Sequence, residues 1–266
     1  MTGISPQARL LRGFATDFLT CHDVGVVPRI MDPAYALSIG GFLLDGRDES
    51  YLPATAAQLD QFPGLVVTVH DVVLGTDHIA MRFTEHGISV KQPGHAAAWG
   101  GVTLFRIDGG RLRQGWAEED YFARKRQLKS GVCDAVRAPH PCAWDVPVLP
   151  PDAATGAAAR AWLADPAALT GGIDEISIDG PRFAELIAPA SVTINALFSA
   201  GDRAAFHVDL AGTYAGGFPD IDRARIGDPV ILRLAGLLTV GDGGVTGMQA
   251  AADRLGLHRS LLGTRA

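Results

Sequence analysis

Gly75-Thr-Asp-His-Ile-Ala-Met-Arg-Phe-Thr-Glu-His-Gly87 can be laid without a gap on Ala200-Gly-Asp-Arg-Ala-Ala-Phe-His-Val-Asp-Leu-Ala-Gly212. Asp77 then meets Asp202, Met81 meets Phe206, Phe83 meets Val208 and Gly87 meets Gly212. Further on, Leu104-Phe-Arg-Ile-Asp-Gly-Gly110 parallels Leu238-Thr-Val-Gly-Asp-Gly-Gly244. Asp-Gly-Gly between two apolar runs is a strong hairpin-turn signal. Few positions are identical, so chance similarity is the alternative. Two matches in the same order, each at a turn between strands, favour one fold written twice.

Between the repeats lies Cys133 to Asp152, with Pro139, Pro141, Pro147, Pro150 and Pro151. Prolines at that density disfavour helix and interior strand, so the segment reads as a stiff linker. The expected units are 1–132 and 153–266, joined by 133–152. In the first, Ser5-Pro6 is a good helix opening, followed by an apolar face of Leu10, Leu11, Phe14, Phe18 and Leu19. A second helix is expected over Asp48–Phe62, then strands over Leu65–Leu74, Asp77–His86, Ala97–Ile107 and Arg111–Phe122. The second unit reads as helices near Ala157–Leu169 and Arg182–Ala188. Its strands are expected over Val192–Ser199, Arg203–Ala211, Pro229–Val240 and Val245–Arg254. Helices first and antiparallel strands after them predict an α+β fold with helices packed on one face of a curved sheet. Apolar residues on both faces of Arg203–Ala211 and Val230–Val240 predict that the units pack sheet against sheet, as a dimer inside one chain. Further self-association into a homodimer is allowed but not required.

The composition narrows the function classes. Of 266 residues, 47% are hydrophobic, enough for a packed core. The 32 glycines and 16 prolines point to many turns. A net charge of −6 argues against nucleic acid and against anionic membranes as partners. No apolar run is long enough to span a bilayer, and the N-terminus lacks a signal-peptide core. Cys21, Cys133 and Cys142 form no CxxC pair and suit a reducing cytoplasm. No nucleophile elbow, P-loop, dinucleotide fingerprint or zinc spacing occurs, so neither metal nor organic cofactor is expected. Gly40-Gly41 and Gly171-Gly172 read as turns.

Several short motifs carry a resemblance. Gly212-Thr-Tyr-Ala-Gly216, Ile226-Gly-Asp-Pro-Val230 and Asp253-Arg-Leu-Gly-Leu257 in the second half are similar to segments of the SnoaL-like polyketide cyclases, within the nuclear-transport-factor-2-like superfamily. In the first half the resemblance rests on Gln61-Phe-Pro-Gly-Leu65, Phe105-Arg-Ile-Asp-Gly109, Trp116 with Asp120 four residues on, and Gln127-Leu128. It implies two tandem cone-shaped α+β barrels, each a curved sheet wrapped by N-terminal helices around an apolar pocket. Members include cyclases, ketosteroid isomerases, dehydratases and epoxide hydrolases, none needing a cofactor, and many members only bind.

Candidate site residues follow. On a strand, Leu112, Gln114, Trp116, Glu118 and Asp120 share a face, with Glu118 and Asp120 about 6–7 Å apart. In an apolar cavity each carboxylate would raise the other's pKa towards that of a useful acid or base. The alternative is a solvated charged rim. The resemblance assigns the proton-moving aspartate to Asp120 and, in the second half, to Asp253. The partner histidine of the cyclases is missing from its turn, which reads His86-Gly-Ile-Ser89 in the first half; His86 is the candidate substitute. Arg82 is a candidate oxyanion donor, and Trp116 a substrate contact. Tyr214 takes the family histidine position in the second half, near His207 and Asp209. The expected function is a cofactor-independent isomerase or cyclase moving a proton beside a carbonyl of an apolar, polyketide- or steroid-like substrate. The alternatives are a non-catalytic ligand-binding or scaffold protein, and a dehydratase or epoxide hydrolase. One active half supported by a degenerate one is a third arrangement.

Overall fold

Ser5 opens the first helix by accepting the Ala8 N–H at 3.1 Å, with Pro6 supplying a pre-set φ behind it. The computed structural model describes residues 3–170, 181–242 and 244–263, so Gly171-Gly172 and Gly243 lie outside the described residues. Helix α1 (Pro6–Arg12) runs on into a π-helical segment, Gly13–Thr20, and α2 (Val27–Ile30) follows. Strands β1 (Met31–Ile39) and β2 (Phe42–Asp45) form a hairpin across Gly40 and Gly41, both with positive φ. Next come α3 (Leu52–Gln61), β3 (Val66–Leu74), β4 (His78–Ile88), β5 (Ala96–Asp108), β6 (Arg111–Glu119) and α4 (Tyr121–Ser130). The second half holds α5 (Ala153–Leu163), α6 (Pro166–Thr170), α7 (Phe183–Leu186), β7 (Ile187–Ala200), β8 (Arg203–Tyr214), β9 (Pro229–Gly241), β10 (Gly244–Ala252) and α8 (Arg254–Leu261).

Two sheets result, six-stranded in the order β2-β1-β6-β5-β4-β3 and four-stranded in the order β10-β9-β8-β7. All pairs are antiparallel except β1 with β6. The architecture is α+β, with each curved sheet wrapped by helices around its own apolar core.

The register supports the first of the two sequence matches rung by rung; at the second it is offset by one residue, with Leu104 standing where Leu237, not Leu238, stands in the other sheet. Phe83 faces Gly101, which faces Glu119. Its partner in the repeat, Val208, faces Leu234, which faces Ala252. On the other side Phe83 meets Val69 and Val208 meets Ile194. The register then shifts in both halves, between Val69 and Asp71 and between Ile194 and Ala196, leaving His70 and Asn195 as the extra residues of matching β-bulges. Their side chains reach matching rungs as well, His70 to Thr84 and Asn195 to Asp209.

The sheets meet back to back. Ala80, Val102 and Leu104 of the first pack with Ala205, Ala235, Leu237 and Ala251 of the second in one buried cluster. Small side chains let the two surfaces approach closely. At the flanks His78 stacks on Phe198 with centroids 5.3 Å apart, and Arg203 pairs with Asp71 at 2.6 Å. The proline-rich segment does not stand off as a spacer. His140 and Leu149 donate backbone hydrogen bonds to Val69 and Leu74 on edge strand β3, and Ala143 is buried in the first core.

Three local expectations need correction. The order is not helices before strands alone, because β1 and β2 precede α3 and each half closes on a helix. Pro33 and the irregular pairing between Met31 and Ala36 hide β1 from a reading based on alternation. The last strands end at Glu119 and Ala252, short of the expected Phe122 and Arg254, because Asp120 and Asp253 turn the chain as helix N-caps. Asp120 accepts the Ala123 N–H at 3.1 Å, and Asp253 accepts the Gly256 N–H at 2.8 Å. The helix expected over Ala157–Leu169 is two, α5 and α6, broken before Pro166.

Candidate active site

Strand alternation decides which side chains line the first cone. Met81 and Phe83 belong to its core, so Glu85, two residues on, points inward as well. On β6, Ala117 is in the same core, which carries Glu119 inward and turns Glu118 outward. The interior encloses a cavity of about 110 Å³ lined by Tyr35, Tyr51, Gln58, Glu85, Thr103, Glu119 and Tyr121 among apolar neighbours. Tyr35 fits against β6 because residue 115 is glycine; a Cβ there would lie 2.3 Å from the phenol oxygen. The Tyr35 hydroxyl is buried and makes no hydrogen bond.

Two neighbouring carboxyls sit in this cavity. The Glu85 carboxyl accepts from the Gln58 amide at 2.6 Å, and Glu119 accepts from the Trp99 indole N–H at 2.8 Å. Burial pushes both above the ordinary carboxylate range, Glu85 well above it, and the charge of Glu119 pushes Glu85 further. Arg124, held over the Trp99 and Tyr121 rings, works against both shifts. Glu85 is thus the more raised of the two, and Glu119, which accepts the indole N–H, the less raised. Neighbouring carboxyls that differ in this way are the elements of an acid–base pair. Neither residue stands among the candidates read from the sequence.

The candidates on the opposite face form a second cluster, between the halves. Glu118 and Trp116 face the second sheet. Glu118 is 1% exposed, lies 3.0 Å from His207 Nε2, and accepts the Gly40 N–H with both oxygens. The Asn195 amide donates to His207 Nδ1 at 3.1 Å and to Asp209 at 2.8 Å, which leaves Nε2–H as the donor towards Glu118. Asp253 lies beside this chain, 3.6 Å from Arg233, whose guanidinium packs against Gly41 so closely that a Cβ there would be 2.7 Å from it. Burial, reinforced by the charge of Asp253, raises Glu118 well above the usual range; burial also raises Asp253 and lowers His207 to about 4. Asp120 is bound by Arg254 of the second half at 3.0 Å, both side chains buried.

Glu118, His207 and Asp253, expected in separate pockets, thus meet in one seam. His86 and Arg82 lie on the same outer face. His86 Nε2 contacts the Thr68 hydroxyl at 3.0 Å, its pKa lowered by burial, and it does not enter the cone. Tyr214 packs inside the second core, stacked with Phe218, and its hydroxyl accepts the Phe218 N–H at 3.1 Å. The rungs that hold Glu85, Trp99 and Glu119 in the first cone hold Leu210, Leu232 and Ala252 in the second. Among the described residues no His, Cys, Asp or Glu cluster has metal-binding geometry, and no helix is long and apolar enough to cross a membrane.

No protein-family model and no curated protein matches the sequence. Solved structures do: over about half its length the chain is similar to SnoaL-like polyketide cyclases. IdmH, a candidate polyketide cyclase from Streptomyces antibioticus, is 18% identical, with the match covering 47% of this chain and 99% of that one at a TM-score of 0.42. A candidate SnoaL-like polyketide cyclase from Jannaschia is 16% identical over 49% of this chain and 96% of its own, TM-score 0.44. An M. tuberculosis epoxide hydrolase of the LEH-like kind is 15% identical over 48% and 93%, TM-score 0.41.

Proposed function

We propose that the first cone is a small-molecule enzyme that moves a proton beside a carbonyl, driving isomerisation or cyclisation of an apolar substrate. The observation that carries this reading is the pair of neighbouring carboxyls, Glu85 and Glu119, buried with raised pKa values against one cavity. Glu119 takes the proton as general base. Glu85 keeps its own and, with the unpartnered Tyr35 hydroxyl, donates to the developing enolate oxygen. The cavity is smaller than the roughly 150 Å³ void that holds benzene, so even a small ring needs the mouth of the cavity or a slight outward shift of its lining. A polyketide- or steroid-sized one requires the lining to move further outward.

On this reading 1–132 is the catalytic unit, 133–152 a linker, and 153–266 a support whose corresponding rungs are apolar. Asp120, Glu118, His207 and Asp253 then hold the two units together rather than act on substrate. Cys21, Cys133 and Cys142 are free and exposed, which supports a reducing, cytoplasmic setting.

The test needs no named substrate. In deuterium oxide, a panel of small cyclic ketones is followed by NMR for exchange of the protons next to the carbonyl. Wild-type protein accelerates exchange of at least one ketone, and Glu119→Gln lowers that rate by about 10²–10⁴. Ketones that bind to both forms with no exchange in either overturn the enzyme reading in favour of a binding protein.

A further inference from the structure

On the outer face of the first sheet, the chain after α4 runs back over β4 and β5 and closes a cavity of about 30 Å³. Its wall includes Arg82, Thr84, Asp120, Asp134 and Arg137. Arg82 is only 8% exposed, and its Nε and Nη1 are buried without a hydrogen bond. Thr84 is not a donor into this space. His70 Nδ1 stands 2.9 Å from the Ala138 carbonyl, which calls for a proton on Nδ1, so Nε2 accepts the Thr84 hydroxyl proton at 2.7 Å.

The carboxylates nearby are committed elsewhere. Asp120 pairs with Arg254 and caps α4, Asp134 pairs with Arg126, and Asp71 pairs with Arg203. Arg82 in the floor and the exposed Arg137 have no ion pair among the described residues. Asp71, across the strand pair from Arg82, supplies a counter-charge that it shares with Arg203. A buried cation only partly balanced in this way is unfavourable, and a space beside it with room for more than one water suits an anion.

We propose that this cavity binds a compact monoanion, a halide or a carboxylate group, between Arg82 and Arg137. Two sources share that chemistry. One is a free inorganic ion. The other is a small organic acid, because Arg137 also lines an open groove of about 610 Å³ with Thr68, His86, Val136 and Trp144, which would receive its tail.

Thermal unfolding of the full chain, titrated with bromide, acetate or hexanoate against a methanesulfonate background at constant ionic strength, tests the site. The expected result is a saturable rise in Tm, weakened several-fold in Arg137→Gln and lost in Arg82→Met. Methionine keeps the apolar stem without the charge. Should that variant not fold, the wild-type saturation and its weakening in Arg137→Gln still decide the matter. Equal response to bromide and hexanoate assigns a free ion, and a stronger response to hexanoate assigns an organic acid. A wild-type protein with no saturable response, or a response untouched by Arg82→Met or by Arg137→Gln, overturns the proposal.

Discussion

The interiors of the two cones occupy the same rungs of the same frame and hold opposite chemistries. The first has Glu85 across from Trp99, with Glu119 one strand further on; the second has Leu210 across from Leu232, with Ala252 beyond. Bulge, strand order over four strands and aspartate-capped closing helix are common to both. The second interior demonstrates that the frame is satisfied by aliphatic side chains, which gain burial energy without desolvating a charge. The first keeps two carboxyls that burial disfavours. Packing does not ask for them, and that contrast is the ground on which the first cone is proposed as the active one.

The comparison breaks first at Glu119. Glu119→Gln should abolish most exchange, by two to four orders of magnitude, yet raise stability at pH 8. The folded protein holds the Glu119 proton more tightly than the unfolded chain, whose glutamates titrate near about 4.3. Stability is therefore greatest below that value and falls as pH rises through the elevated folded pKa; glutamine removes the fall. Melting curves from pH 4 to 8 should converge at the acid end and separate at the alkaline end.

Arg254→Met probes what joins the halves. It leaves Asp120 buried with its helix-capping hydrogen bond but without the guanidinium at 3.0 Å. A loss of about 3–5 kcal/mol in denaturant unfolding is expected. Introducing the first cone's chemistry into the second, by Ala252→Glu, should cost about 2–3 kcal/mol, since Leu232 replaces the indole donor. It should add no exchange activity. Last, Glu118→Gln should raise stability at pH 8, a gain that disappears at low pH. Glutamine still accepts from Gly40 and His207 without holding a charge that burial disfavours.

Much of this frame was legible in the sequence. The ungapped pairing of Phe83 with Val208 is the pairing the strands adopt, and Ser5-Pro6 opens a helix as its residue types require. The site was less legible because Glu118-Glu119-Asp120 offers carboxylates to both faces of one strand, and alternation alone does not say which face is inside. The missing signal lay on the neighbouring strand. Met81 and Phe83 match the apolar Phe206 and Val208, which marks their face as core and carries Glu85 with them. The seam was out of reach for a different reason. Glu118 and His207 are 89 residues apart, and their meeting depends on how two finished sheets pack.

The paired bulges have a historical reading. An unpaired residue at one rung, His70 in one half and Asn195 in the other, is common to both, as it would be had one unit been doubled. Over β3 to β6 and β7 to β10, the two halves differ by substitution within the strands and by a longer connection between β8 and β9 than between β4 and β5. Each is thus a built-in control for its twin, against which a graft at an equivalent rung can be judged for its chemistry with the scaffold held constant.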